Sequence, residues 1–259
     1  MNALSDFKAI EQTFPFEPCT VRAPLRIGLV QLSTDYTLET DWHPLVGGEI
    51  ELYSTRMYAS GTVTVSELTG MKQRIANAAA MVAPDWELDV MAFGCTSASM
   101  LIGDETIQDL LTHFRPGVPA TNPWRASCSA LQALGAQNVA VMTPYTTEVN
   151  APFWQAMYRE GFDVSAFGAF QLDNDTNIPR VSVQALLDGA KALLDKQPAD
   201  AIFIPCTNMK VMKHINMFEK ELSCPLVTSN QAMFWHAMCL AGYHPEHPFH
   251  VGGKLLQMA

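Results

Sequence analysis

Met91-Ala92-Phe93-Gly94-Cys95-Thr96-Ser97-Ala98-Ser99 and Ile202-Phe203-Ile204-Pro205-Cys206-Thr207-Asn208 are two versions of one pattern. Each opens with a short apolar run of the kind that fills a buried parallel strand. Each then places a cysteine, small hydroxyl or amide residues, and a segment of helical character. In an open α/β sheet, ligands bind just beyond the carboxyl ends of the strands. Both cysteines are therefore expected at that ligand-facing edge, where newly started helices point backbone N–H groups the same way. A thiol so placed is expected to have a lowered pKa. Two such thiols on one pocket suggest an acid/base pair.

Working outward, residues 26–32 read as a buried strand ended by Ser33-Thr34-Asp35, and Thr37 begins a helical stretch through Trp42. Residues 49–56 read as a second strand. The spacing of Met71, Ile75, Ala79 and Val82 predicts one helix running from Ser66. Residues 89–94 lead into Cys95, and a helix over 104–114, a short strand near 118–120 and a helix over 125–134 follow. The pattern then restarts. A strand over 138–142 ends in Thr143-Pro144-Tyr145; a helix over 147–159, a strand over 163–170 and a helix over 183–194 precede the strand over 200–204 that leads into Cys206. Residues 211–221, 225–227 and 229–240 read as helix, strand and helix.

Strands alternating with helices of ten or more residues imply parallel sheets covered on both faces. The repeat predicts an α/β fold of two pseudo-symmetric lobes, each a parallel sheet flanked by helices, with the active site in the cleft between them. Lobe 1 is expected over 26–135 with 230–259 returning to it, and lobe 2 over 136–229. Residues 1–25 are read as an N-terminal arm packed over the body.

The formal charge of −10 on 259 residues opposes phosphate backbones and anionic lipid, so neither nucleic acid nor membrane is an expected partner. No apolar run is long enough to span a bilayer and residues 1–10 lack a signal pattern, so a cytoplasmic protein is expected. The six cysteines include no pair at the two-residue spacing of a zinc or redox motif and are read as free thiols. Cys19, Cys128, Cys224 and Cys239 are read as small buried hydrophobes. His244, His247 and His250 suggest a metal cluster, but Pro245 and Pro248 prevent a helical face, so no metal is expected. No glycine-rich loop follows a strand, so no nucleotide cofactor is expected either.

Four strand ends offer polar groups to one cleft: Ser33-Thr34-Asp35, Cys95-Thr96-Ser97, Thr143-Pro144-Tyr145 and Cys206-Thr207-Asn208. Hydroxyls, a phenol and backbone N–H groups suit a carboxylate, which accepts several hydrogen bonds. Singly, any such Ser or Thr reads better as a helix N-cap, and Tyr145 as a rim aromatic. Together, at analogous places, they favour a pocket. From composition alone, Asp173-Asn174-Asp175 reads as an Asx turn or surface loop.

These residues resemble the aspartate/glutamate racemase superfamily, which includes glutamate racemase, maleate cis–trans isomerase and arylmalonate decarboxylase. Within it the likeness is greatest to the ectoine-utilisation EutA type, which is similar to maleate isomerase. The phrases that carry it are Gly28-Leu29-Val30 before Thr34-Asp35, Cys95 to Ser99, Ile102-Gly103-Asp104, Thr143-Pro144-Tyr145 and Val227-Thr228-Ser229-Asn230-Gln231. The resemblance implies a cofactor-free site and a homodimer or higher homo-oligomer. It makes Cys95 and Cys206 the catalytic pair, with a substrate cradle at Thr96, Ser97, Tyr145, Thr207 and Asn208. In racemases of the superfamily one thiolate takes the Cα proton and the other thiol returns one to the opposite face. In the maleate isomerase type a cysteine attacks the double bond covalently. Arylmalonate decarboxylase has glycine at the first cysteine position, so Cys95 argues against a decarboxylase.

Maleate isomerases carry asparagine at the positions of Asp35 and Asp175. Two anionic groups would repel a dicarboxylate and suit an ammonium or amidinium group, or could serve as a general base beside the thiols. The expectation is a cofactor-independent isomerase or racemase acting on a small, amino-acid-like carboxylate. Maleate-type isomerisation, a single-thiol decarboxylase and a non-catalytic metabolite-binding protein stay open as alternatives. Trp124 and Arg125 stand where the superfamily has small residues; Arg125 is read either as a clamp for a second carboxylate or as a surface arginine.

Overall fold

The computed structural model describes residues 3–258. After helix α1 (Ala3–Ile10), the first half runs β1 (Leu25–Leu32), α2 (Leu38–Trp42), β2 (Ile50–Met57), α3 (Val65–Gly70), α4 (Lys72–Ala80), β3 (Val90–Gly94), α5 (Thr96–Ile102), α6 (Asp104–Thr112), β4 (Ala120–Thr121) and α7 (Pro123–Ala133). The second half runs β5 (Asn138–Thr143), α8 (Thr147–Arg159), β6 (Asp163–Ala169), α9 (Val183–Lys196), β7 (Ala201–Ile204), α10 (Ile215–Leu222), β8 (Leu226–Thr228), α11 (Ser229–Ala241) and α12 (Gly253–Leu256).

The strands form two four-stranded sheets, ordered β2-β1-β3-β4 and β6-β5-β7-β8, with every pairing parallel. The second order repeats the first. In both sheets the chain steps outward, crosses back over its first strand and continues on the other side. The direction of winding therefore reverses between β1 and β3, and again between β5 and β7. Connecting chains diverge at such a reversal and leave a crevice at the carboxyl ends. Asp35 and Cys95 follow β1 and β3; Tyr145 and Cys206 follow β5 and β7.

The strands beside each reversal are buried along almost their whole length, as sequences such as Val90–Gly94 and Ala201–Ile204 require when helices cover both faces. The edge strands β2 and β6 are partly exposed. An aromatic contact joins the halves: Trp124 of α7 meets Phe153 of α8 edge-on with centroids 5.1 Å apart, and Phe153 packs at 6.0 Å from Phe203 on β7. Helix α11 starts at the end of β8 and lies against α7 and β3. Its N-terminus is a reciprocal capping box between Thr228 and Gln231.

Several expectations need correction. The arm before β1 does not pack over the body: Phe14, Phe16 and Val21 are 75–84% exposed, and Pro15 and Pro18 interrupt any repeating hydrogen-bond pattern. Among the described residues, its end is tied down where Arg22 pairs with Asp89 at 2.5 Å. The single helix expected from Ser66 is broken at Met71 into α3 and α4. The fourth strand lies at Ala120–Thr121, later than expected, and the helix expected from 211 begins as a 3-10 turn over Met212–His214 before α10. Cys19 and Cys239 are exposed, not buried. Among the described residues, no helix is long and apolar enough to cross a membrane.

The close approach of α2 to β3 sets one requirement on sequence. A Cβ on Gly94 would lie 2.5 Å from Leu38 Cδ2, and Leu38 is fully buried, so its side chain would have to shift within the core. Gly94→Ala is therefore expected to destabilise the fold by about 1–3 kcal/mol through overpacking. Thermal unfolding checks this; an unchanged Tm would show that α2 yields freely.

Candidate active site

All nine residues expected at the site line one cavity, together with Thr34 and an apolar wall that includes Leu32, Val63 and Met71. Its open space is about 20 Å³, room for a single water. A roof closes it. The loop after β2 and the loop after β6 pair across the lobes through Val63 N–H to Asp173 O and Asp175 N–H to Gly61 O, both 2.8 Å. These backbone bonds carry Asp175 to the cleft wall, while the expected Asx turn is present beside it, Asn174 Oδ1 accepting Thr176 N–H at 2.9 Å with Asp173 exposed.

Asp35 is 3% exposed. Its Oδ1 accepts the N–H groups of Thr37 and Leu38, both at 2.8 Å, which starts α2. Its Oδ2 is buried without a hydrogen-bond partner among the described residues. Burial raises its pKa, against the lowering effect of the Leu38 N–H, the nearby Thr207 hydroxyl and the Thr37 N–H. Asp175 accepts a 2.6 Å bond from Thr34 Oγ1. Burial pushes it up to about 6, with the Asp35 charge adding to the effect.

Cys95 follows β3 as the N-cap of α5, and its Sγ lies 3.9 Å from Ser97 Oγ. Burial pushes its thiol up to about 12, with Asp175 and Asp35 adding to the shift and the Ala98 N–H opposing it. Cys206 is likewise raised, first by burial, then by Asp175, while the Asn208 N–H opposes. The expectation of lowered thiol pKa values is therefore overturned for the closed cleft. The N–H groups at the starts of the following turns are present, but desolvation and two nearby carboxylates outweigh them. Burial and the neighbouring thiols also raise the Tyr145 phenol.

The remaining polar residues divide by what they already bind. Thr96 Oγ1 shares a 2.7 Å hydrogen bond with Ser229 Oγ. Thr207 Oγ1 makes only a long 3.5 Å contact to Gly94 O. The Asn208 amide is fully engaged: Oδ1 accepts Tyr36 N–H at 2.9 Å, and Nδ2 donates to Thr34 O at 3.1 Å and Asp175 O at 3.0 Å. It stitches three segments together, and its side chain has no donor left over for a ligand.

Trp124 and Arg125 lie outside the cavity: Trp124 is buried against Phe153, and Arg125 Nε pairs with Asp104 Oδ2 at 2.8 Å. Among the described residues, no group of three or more His, Cys, Asp or Glu could hold a metal. Thr34 lines the cavity, as expected of its strand end, whereas Ser229 and Asn230 were not anticipated at the site. Ser229 and Asn230 belong to the Val227–Gln231 phrase, whose place at the end of β8 was the available signal.

The raised pKa of Asp175 has a consequence for stability. A carboxyl that holds its proton more tightly when folded contributes stability fully present below its ordinary pKa of 3.8 and lost as pH rises through about 6. Asp175→Asn should therefore be more stable than the parent by roughly 1–3 kcal/mol at about pH 8, with the difference fading near pH 4. Unfolding at the two pH values decides it; a pH-independent difference would contradict the assignment.

With this geometry established, comparison with known proteins places the chain. The sequence pattern of the arylmalonate decarboxylase family matches residues 47–255. A maleate isomerase of Nocardia farcinica is 26% identical over 219 residues, covering 80% of this chain and 86% of that protein. An arylmalonate decarboxylase of Bordetella bronchiseptica is 28% identical over 127 residues, 49% of this chain and 53% of that one. A Nocardia farcinica maleate cis-trans isomerase, solved as a cysteine-to-serine mutant with a covalently bound succinylcysteine intermediate, shares the fold with a TM-score of 0.79. Its identity is 24%, over 91% of this chain and 99% of that one. A pattern match spanning most of the chain, on two lobes with the same strand order, means that this protein belongs to the arylmalonate decarboxylase family, within the aspartate/glutamate racemase superfamily.

Proposed function

We propose that the protein is a cofactor-independent isomerase that moves a proton at a carbon beside a carboxylate, with Cys95 and Cys206 as the working pair. The observation that carries this reading is that two buried thiols, one from each pseudo-symmetric strand end, face one cavity walled by hydroxyls. One thiolate takes the Cα proton, and the electron pair is delocalised into the substrate carboxylate. The other thiol delivers its proton to the opposite face, so the two sulfurs exchange protonation states in each turnover. The hydroxyls of Ser97 and Thr207, whose contacts within the protein are long, and the Tyr145 phenol are suited to hold that carboxylate as charge builds on it.

The substrate class follows from electrostatics. The cleft already holds two carboxyls, and Asp35 and Asp175 are among the causes that raise both thiols. An ammonium group paired with them would cancel that repulsion and favour the thiolate, whereas a dianion would add to it. This supports an amino-acid-like substrate that activates its own base on arrival. Because the closed cavity takes only about one water, binding requires the roof loops to part. We also take the lobes to divide near residue 136, with α11 returning to the first, a reading supported by its packing on α7. Helix α12, expected on the first lobe as part of 230–259, lies instead against α10 and β8 of the second, where Gly253 N–H donates to Asn216 and Lys254 N–H to Glu219.

A second reading is favoured by one specific observation. Burial raises Asp35, and a protonated carboxyl has the shape of asparagine and can donate to a dicarboxylate. In that form the cleft would suit maleate-type cis–trans isomerisation, with a cysteine adding to the double bond, as the similarity to maleate isomerases suggests.

Solvent deuterium exchange followed by NMR separates the readings, using aspartate, glutamate, α-acetylated diaminobutyrate and maleate. The expected result is Cα exchange into one amino compound, reduced at least about 100-fold in both Cys95→Ser and Cys206→Ser. Conversion of maleate to fumarate without exchange into any amino compound would favour the second reading. Tight binding of one compound with no turnover of any would overturn both.

A further inference from the structure

Cys206 has φ +102°, in the left-handed region that a residue with a Cβ rarely adopts. Such a conformation persists only where the surroundings over-determine it, and it gathers at functional sites. The groups that hold it come from the start of α11. Ser229 is fully buried and does not line the cavity, yet its hydroxyl touches both cysteine turns. It accepts the backbone N–H of Cys206 at 3.0 Å and shares the 2.7 Å bond with Thr96 Oγ1, the residue after Cys95. The next residue, Asn230, donates from Nδ2 to the carbonyl of Thr207 and to Asp41 Oδ2, both at 2.8 Å. Trp42 Nε1 holds the Asn230 carbonyl at 3.0 Å. The Cys206 turn is thus gripped on both sides of its strained residue by one helix start, which is itself anchored to α2.

We propose that Ser229 is a positioning residue of the active site: its hydroxyl holds Cys206 in the left-handed backbone that presents the thiol to the cleft, and ties that turn to the Cys95 turn through Thr96. The catalytic consequence rests on the isomerase reading; the geometric claim does not. Removing the hydroxyl leaves a buried N–H without a partner and frees the Cys206 backbone to relax toward negative φ. The sulfur then leaves the Asn208 N–H that favours its thiolate. Thr96→Val breaks the link from the other side while leaving the Ser229 bond to Cys206 in place.

The test is site-resolved alkylation with iodoacetamide, read by mass spectrometry across pH, on wild type, Ser229→Ala, Ser229→Thr, Thr96→Val and the Ser229→Ala/Thr96→Val double variant. Steady-state kcat and KM are measured beside it on whichever carboxylate is turned over. In Ser229→Ala we expect the rate at Cys206 to fall about tenfold and its pH midpoint to rise, with Cys128 and Cys239 unchanged. Threonine, which keeps the hydroxyl, restores the rate to within about threefold. Thr96→Val slows Cys206 without touching it, and the double variant is no slower than Ser229→Ala alone, because the link acts as one unit. In turnover, kcat falls about 100-fold with KM nearly constant, as for a displaced reacting group. A Cys206 rate within twofold of wild type in Ser229→Ala overturns the proposal, as does an equal change at every buried cysteine, which would mark general loosening. Alkylation needs no substrate, so failure of this claim and failure of the isomerase reading are separate results.

Discussion

Asp35 keeps one carboxylate oxygen in a closed cavity with no hydrogen-bond partner among the described residues, and the proposed chemistry of the cleft depends on how that is met. A buried charged oxygen without a partner is expensive, and either of two responses lowers the cost. The carboxyl can hold its proton, as its raised pKa indicates, or a cation can arrive to pair with it. The same field acts on the thiols, which burial and the two carboxyls push away from ionisation. On the proposed reading, a site whose buried acids oppose its own thiolates becomes competent when positive charge enters, which would link substrate choice to base activation.

The fold delivers these groups by doing one thing twice. Each sheet reverses its winding beside its first strand, and the two crevices so formed face each other. No single lobe holds the constellation: Asp35 and Cys95 come from one reversal, Tyr145 and Cys206 from the other, and Asp175 is drawn in by backbone pairing of the roof loops. Asn208 and Ser229 then span the lobes with side-chain hydrogen bonds. The cleft's geometry therefore depends on the docking of the lobes, which the packing of Trp124 against Phe153 and Phe203 helps to hold.

How much of this was legible in the sequence depends on what kind of interaction placed each residue. Cys95 and Cys206 were legible because apolar strands and the polar residues that end them leave a pattern in the chain. The repeat of that pattern carried the two-lobed architecture as well. Asp175 was not legible from composition, because the roof pairing uses backbone groups and leaves no side-chain signature; only the family likeness pointed to it. Ser229 reads as an ordinary first residue of a helix, and its bonds to Thr96 and Cys206 join residues far apart in the chain. The thiol pKa values were misjudged for a related reason. A helix start is visible in sequence, whereas the depth of burial that outweighs it is a property of the assembled cleft. The arm failed differently: prolines and mixed polarity without periodicity mark a segment outside the sheets but do not say whether it packs, and nothing in the described structure covers Phe14, Phe16 or Val21.

The central claim, that the buried acids select a cationic group, is tested most directly by calorimetric binding of a matched pair, aspartate and succinate, at neutral pH. The pair differs only in the amino group. The account predicts that aspartate binds at least about tenfold more tightly and that Asp35→Asn removes the preference. Succinate binding as tightly as aspartate in wild type, or a preference for aspartate that survives Asp35→Asn, would contradict it.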